Sequence, residues 1–404
     1  MTEPRKRKGA RPHGDDARAA SRLLVEATLR VTDIVHAMHR RIASGPNVLG
    51  LPLEAPARVL TGLVYGSVRG VTQAVGAVVD AALASLAPVL GASAPSAERA
   101  AVLAALNGLV GDYLSETGSA LATTMCLCHD GDTLDLEASA LREALPDASS
   151  RVVVLVHGSS MNDLQWRRAG HDHGAALARD LGYSALYLRY NSGLHVSTNG
   201  RAFAALLEQL FAAWPVPLTE LVLVGHSMGG LVVRSACHAG EVAAHKWRAD
   251  ALTKLVCLGS PHHGAPLERG GNWVDVLLGV SGYSAPLARL GRLRSAGVTD
   301  LRYGNVRDED WNGRDRFALA GDPRTVLPLP TDVQCYAVAA TTSQATATRL
   351  AGDGLVPIDS ALGRPSLAFP ETNQFIAYGA GHLDLLSRPE VYEQLRTWLS
   401  SGED

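Results

Sequence analysis

Leu221-Val222-Leu223-Val224-Gly225-His226-Ser227-Met228-Gly229-Gly230 is the stretch that decides the fold. Four apolar residues form a strand buried on both sides, the residues from Gly225 to Gly229 make a tight turn, and a helix opens after Met228. A bare G-x-S-x-G is a weak signal in a chain with 40 glycines, so the flanking strand and helix carry the information. A nucleophile on such a turn must hold strained backbone angles, and glycines on either side leave room because neither has a side chain to clash. Ser227 then projects its hydroxyl above the sheet edge, with the positive end of the helix dipole beside it. The plainer alternative is a glycine-rich turn with a capping serine.

Working outward, short β-rich runs alternate with helical stretches from about residue 120. Strands are predicted at Thr124 to His129, Arg151 to Val156, Ser184 to Tyr190, Leu221 to Val224, Lys254 to Leu258, Val333 to Ala340 and Gln374 to Tyr378. Helices are predicted between them at Gly174 to Leu181, Arg201 to Trp214 and Gly229 to Ala239, and after the last strand at Pro389 to Leu399. Near-continuous apolar strands with helical crossovers make an α/β class protein with a mostly parallel sheet covered on both faces.

A serine hydroxyl is a poor nucleophile until a base takes its proton and a carboxylate orients that base. Gly352-Asp353-Gly354 follows one late strand, and Gly379-Ala380-Gly381-His382-Leu383-Asp384 follows the next. The chain order Ser227, Asp353, His382 puts each acid or base in a loop after a strand. Asp384 and Asp359 are rivals for the acid, and their plainer reading is loop capping. An oxyanion hole needs two amides aimed at one point. Met228 supplies one, and Ser159, freed by the strand end Val156-His157-Gly158, supplies the other. His157, Gly158, Asn162, His226, His262 and His263 are candidates for lining the pocket. The segments Asn162 to Trp166 and Asn191 to His195 follow strands on the same side and are candidates for substrate contacts.

These motifs give residues 120 to 400 a resemblance to the α/β-hydrolase superfamily, to its serine lipases and esterases, and nearest to the GPI inositol-deacylase-like branch. The matching pieces are Val156-His157-Gly158, Gly225 to Gly230, Gly259-Ser260-Pro261-His262-His263-Gly264, Asp353 to Val356 and His382-Leu383-Asp384. The resemblance implies an α/β-hydrolase fold and ester hydrolysis through an acyl-enzyme on Ser227, Asp353 and His382. In bacterial triacylglycerol lipases, which the chain also resembles, the aspartate two residues past the histidine is a calcium ligand. Asp384 holds that place, but residues 341 to 352 contain no second acid. No metal and no cofactor are expected. An acyltransferase using the same acyl-enzyme and a catalytically silent binding protein are the competing readings.

The remainder of the chain is read by organisation. Residues 1–18 form a basic tail expected to be disordered, 19–118 an N-terminal helical region, and 119–404 the hydrolase domain. In that helical region Leu23, Ala27, Val31, Ile34, Met38 and Ile42 recur at helical steps, and Glu98 to Tyr113 forms a further helix. An insertion at 265–332, with Trp273, Val276, Leu277 and Val280 at helical spacing, is expected to form a lid or cap. The N-terminal helices are a packing partner or a peripheral anchor to lipid, to which Arg5 to Lys8 would add attraction. A net charge of -3 on 404 residues excludes the basic surface of a nucleic-acid binder. The expected partner is an ester or lipid-like small molecule. Five cysteines in apolar surroundings read as reduced thiols, Cys126 and Cys128 as strand residues on opposite faces. With no secretory h-region the expected location is cytoplasmic.

Overall fold

The computed structural model describes residues 97–265, 294–314, 322, 324–345 and 352–400. The basic tail, the helical segments predicted before residue 97 and the residues Trp273 to Val280 of the expected lid lie outside them. Two compact units divide the chain, and the second runs from Ala100 to Asp404. Nearly all of helix α1 (Ala97–Glu116) lies in that second unit, which also holds the sheet.

Among the described residues the sheet has eight strands: β1 (Cys126–His129), β2 (Asp132–Thr133), β3 (Arg151–Val156), β4 (Ser184–Arg189), β5 (Glu220–His226), β6 (Leu252–Leu258), β7 (Gln334–Thr341) and β8 (Gln374–Tyr378). Their order is β2-β1-β4-β3-β5-β6-β7-β8, parallel from β4 to β8, with β1 antiparallel to β4. Every predicted strand is present. The two-residue β2 is too short and polar to announce itself, since Asp132 and Thr133 are exposed and pair only with β1.

Alternation along the central strands sorts side chains to two cores. Leu221 and Leu223 face the layer containing α2 (Ala138–Ala144), α4 (Val196–Ala213) and α5 (Met228–Val242), through Leu141, Phe203, Leu207 and Leu231. Val222 and Val224 face α3 (His173–Leu181) and the last helix (Pro389–Ser400), through Leu177, Val391 and Leu395. Each fully buried aliphatic contributes roughly 2 kcal/mol, so the sheet is fixed from both sides while its carboxyl edge is left to loops. At the opposite edge Glu220 ties three strands together. It accepts Arg151 Nε at 2.6 Å and Lys254 Nζ at 2.8 Å.

The reading of Cys126 and Cys128 on opposite faces is corrected by the structure. Residues two apart in a strand share a face, and the two sulfurs lie 3.9 Å apart. Among the described residues no helix is long and apolar enough to cross a membrane.

Candidate active site

Ser227 stands between β5 and α5 with φ 55° and ψ −122°, a conformation that side chains rarely adopt and that costs about 1–3 kcal/mol. The turn around it is built by close approach. A Cβ at Gly225 would stand 2.5 Å from the Gly229 carbonyl carbon, and one at Gly229 would collide with the Val156 carbonyl oxygen. These contacts hold the start of α5 against the end of β3. The serine is 1% exposed, and its hydroxyl has no hydrogen-bond partner among the described residues.

The other two members of the sequence-derived triad lie together. His382 follows β8 and Asp353 lies between β7 and β8, and His382 Nδ1 is 2.7 Å from Asp353 Oδ2 with both side chains buried. The second carboxylate oxygen, Oδ1, accepts the amides of Leu355 at 2.9 Å and Val356 at 2.7 Å. The His382 amide in turn donates to the Asp353 carbonyl at 3.0 Å, fixing one loop to the other. Gly259, at the end of β6, backs the imidazole, since a Cβ there would stand 3.3 Å from its Nδ1 and Cε1. The rivals do other work. Asp384 Oδ2 accepts the Gly381 amide at 2.8 Å and caps the turn carrying His382, while Asp359 sits in the first turn of the short helix Ile358–Ala361.

The two amides expected to form an oxyanion hole belong to adjoining segments. Met228 begins α5, so its N–H has no carbonyl four residues back to bond. The His157-Gly158-Ser159 turn lies beside the nucleophile: a Cβ on Gly158 would stand 3.1 Å from Ser227 Cβ and 3.2 Å from His226 Nδ1. His157 stacks on Tyr190 at 4.3 Å, and Tyr190 donates to the His157 carbonyl at 2.8 Å, which fixes that turn. His226 donates Nε2–H to the His382 carbonyl at 3.2 Å and lies 4.8 Å from its ring. Asn162 is buried, its side-chain atoms without hydrogen-bond partners among the described residues. His262 and His263 line a neighbouring cavity with Arg234 rather than the nucleophile.

Burial acts on these imidazoles. It pushes His157 down to about 4 and His226 well below the usual histidine range. His173, which bonds the Leu385 carbonyl at 2.9 Å beneath the His382 turn, is likewise pushed to about 4. A depressed histidine stays neutral in the fold while the unfolded chain takes up its proton, so stability is complete above pH 6.5 and falls as pH drops toward 4. Two such groups give a slope approaching roughly 2–3 kcal/mol per pH unit inside that window. Denaturant titrations at pH 7.5 and 5.5 measure it, and equal midpoints would contradict the burial of neutral imidazoles.

One set of contacts escapes the sequence reading. The Asn191 loop serves α1 rather than a substrate: Asn191 Nδ2 donates to the Gly111 carbonyl at 2.8 Å. The next loop does the same, Ser295 Oγ donating to the Gly108 carbonyl at 2.6 Å and the Ala296 amide to Asp112 at 3.0 Å. Gly108 itself presses on Ser160, whose Cα would lie 2.9 Å from a Cβ at position 108. The Gly108-x-x-Gly111 spacing in a predicted helix was the available signal, since it marks a face that meets other backbone closely. Gly108→Val is expected to displace Ser160, and with it the Ser159 amide, lowering kcat by about 10- to 100-fold with KM little changed. Steady-state kinetics on the folded variant reads this, and an unchanged kcat would uncouple α1 from the site.

Residues 147–313 match the family described as the PGAP1-like alpha/beta domain. No curated protein matches the sequence. Among solved structures, the chain is similar to a Bacillus licheniformis lipase in its mature form, at 17% identity over 68% of this chain and 98% of that one, with a TM-score of 0.43. A Legionella pneumophila phospholipase is similar at 16% identity over 52% and 45% of the two chains, with a TM-score of 0.35. A Pyrococcus furiosus esterase is similar at 13% identity over 62% and 83%, with a TM-score of 0.34. The mostly parallel sheet with its antiparallel β1, and the strand, tight turn and helix around Ser227, make an α/β-hydrolase fold.

Proposed function

We propose that the α/β-hydrolase domain of this chain is a serine hydrolase that cleaves carboxylic esters through an acyl-enzyme. His382 takes the Ser227 proton as the serine oxygen adds to the ester carbonyl, and returns it to the departing alcohol. Asp353 holds the imidazole by its Nδ1–H and stabilises the imidazolium that forms. The amides of Ser159 and Met228 receive the developing oxyanion. Water, with its proton taken by His382, then releases the acid and restores the hydroxyl. No step needs a cofactor.

The observation that carries this reading is the buried 2.7 Å pair of His382 and Asp353 on the sheet edge where Ser227 is held at positive φ. A capping serine has no reason to occupy a strained turn, and here its hydroxyl caps nothing. The test is a fluorophosphonate probe followed by peptide mapping, beside hydrolysis of p-nitrophenyl esters from C2 to C16. Labelling at Ser227 with release of free acid is expected. Labelling elsewhere, or none with the fold intact, would refute it. Added alcohols that divert the product to new esters would assign the acyl-enzyme to transfer instead.

A further inference from the structure

Next to the candidate active site the fold buries a guanidinium that faces no carboxylate among the described residues. Arg234 is 5% exposed on α5, seven residues beyond Ser227 and so about 10 Å along the helix axis. It shares a face with Gly230, four residues earlier, which packs on Ser260. Its Nη2 donates to the Leu327 carbonyl at 2.6 Å and its Nη1 lies 3.3 Å from His262 Nδ1. Both partners are neutral acceptors, and Nε has none among the described residues.

The bond from Arg234 sets the tautomer of its neighbour. Nη1 can only donate, so His262 Nδ1 accepts and its Nε2 carries the hydrogen. Among the described residues that N–H is buried and without a partner, as is Nε2 of His263. Both rings line one small cavity with Arg234 and Arg324. Among the described lining residues the one carboxylate is Asp310, and it is already engaged: Oδ2 accepts the amides of Val306 at 2.9 Å and Arg307 at 3.0 Å, and Oδ1 lies 3.7 Å from Arg307 Nη2. Arg324 completes the wall, held by Asp322 and donating to the His262 carbonyl at 3.1 Å. Unmet donors beside an uncompensated buried charge call for an acceptor that brings negative charge. A cation would meet the wrong sign, and an apolar ligand would leave every donor unmet.

We propose that the cavity lined by Arg234, His262, His263 and Arg324 binds an oxyanion of the phosphate or carboxylate class. Its source is either a group on the substrate or a free anion, and the chemistry of recognition is the same for both. The surrounding thiols of Cys237, Cys257 and Cys335 are pushed up by burial and stay neutral, so they supply no counter-charge.

Inorganic phosphate against the full chain is the test, with chloride at equal ionic strength as reference. A ligand at about a hundred times its Kd raises the thermal midpoint of a domain this size by about 5 °C. That rise is expected in the wild type, absent in Arg234→Met and reduced in His263→Gln, which keeps the fold testable should the first variant not fold. Kinetics separates the two sources. If Arg234→Met raises KM at least tenfold for an ester bearing a phosphate but not for its neutral counterpart, the anion belongs to the substrate. If the KM ratio holds while the phosphate-dependent rise disappears, the site takes a free anion. Equal wild-type midpoints in phosphate and chloride, or a full rise in Arg234→Met, would overturn the proposal. Because the midpoint needs no turnover, it stands or fails apart from the ester-hydrolase reading.

Discussion

Ser227→Ala is expected to lower ester turnover by about 10⁶-fold, the usual consequence of removing the nucleophile from a working triad. The loss should fall on kcat, with KM moved little, because the hydroxyl contributes to the acyl-transfer barrier more than to binding. Stability should move the other way. The wild-type hydroxyl is buried with no partner among the described residues, so its removal relieves a desolvation cost without breaking a bond. Ser227→Gly should be more stable still, because glycine adopts φ 55° without strain and the relief is about 1–3 kcal/mol. A site that costs the fold in this way is typical of residues kept for activity. Turnover surviving in the purified alanine variant would mean that another group attacks the ester. A fall in its thermal midpoint would mean that the serine has a structural bond to lose.

The same contrast explains what could be read from the sequence. Central strands announce themselves because both faces are buried, so Val152 to Val156 and Leu221 to Val224 are uninterrupted apolar runs. The elbow is legible because its glycines are demanded by backbone contacts at fixed positions on either side of Ser227. Asp353 and His382 are legible by chain order, which the topology imposes. What escaped depends on contacts between residues far apart in the chain. Asn191, polar and in a loop after a strand, has the sequence appearance of a substrate contact, yet its partner is a carbonyl 80 residues away in α1. Arg234 lies in a helix whose neighbours Leu231, Val232 and Val233 are apolar, and nothing local shows that its guanidinium turns inward without an acid opposite. His262 and His263 were rightly placed past β6, but which cavity they line depends on Arg324, 61 residues beyond His263.

Asp353→Asn should cost about 10⁴-fold in kcat, for a reason that the hydrogen bonds make specific. Oδ1 accepts two backbone amides, from Leu355 and Val356, and only an oxygen can fill that place. The new amide must therefore turn its oxygen to the backbone and its NH2 to His382. An NH2 group donates, so His382 Nδ1 has to accept, and the imidazole carries its hydrogen on Nε2. That tautomer cannot take a proton from Ser227. Geometry survives while the base is disabled, so fluorophosphonate labelling should slow in proportion to kcat with the thermal midpoint little changed. Asp384→Asn makes the matched control. Its carboxylate accepts a single amide, from Gly381, which the asparagine oxygen serves equally well, and activity should stay within a few-fold of wild type. Asp384→Ala should cost about 1 kcal/mol of stability as the turn loses its cap. Were Asp384→Asn the more damaging of the two asparagine variants, the acid of the triad would have to be reassigned to Asp384, and the 2.7 Å contact between Asp353 and His382 would be structural.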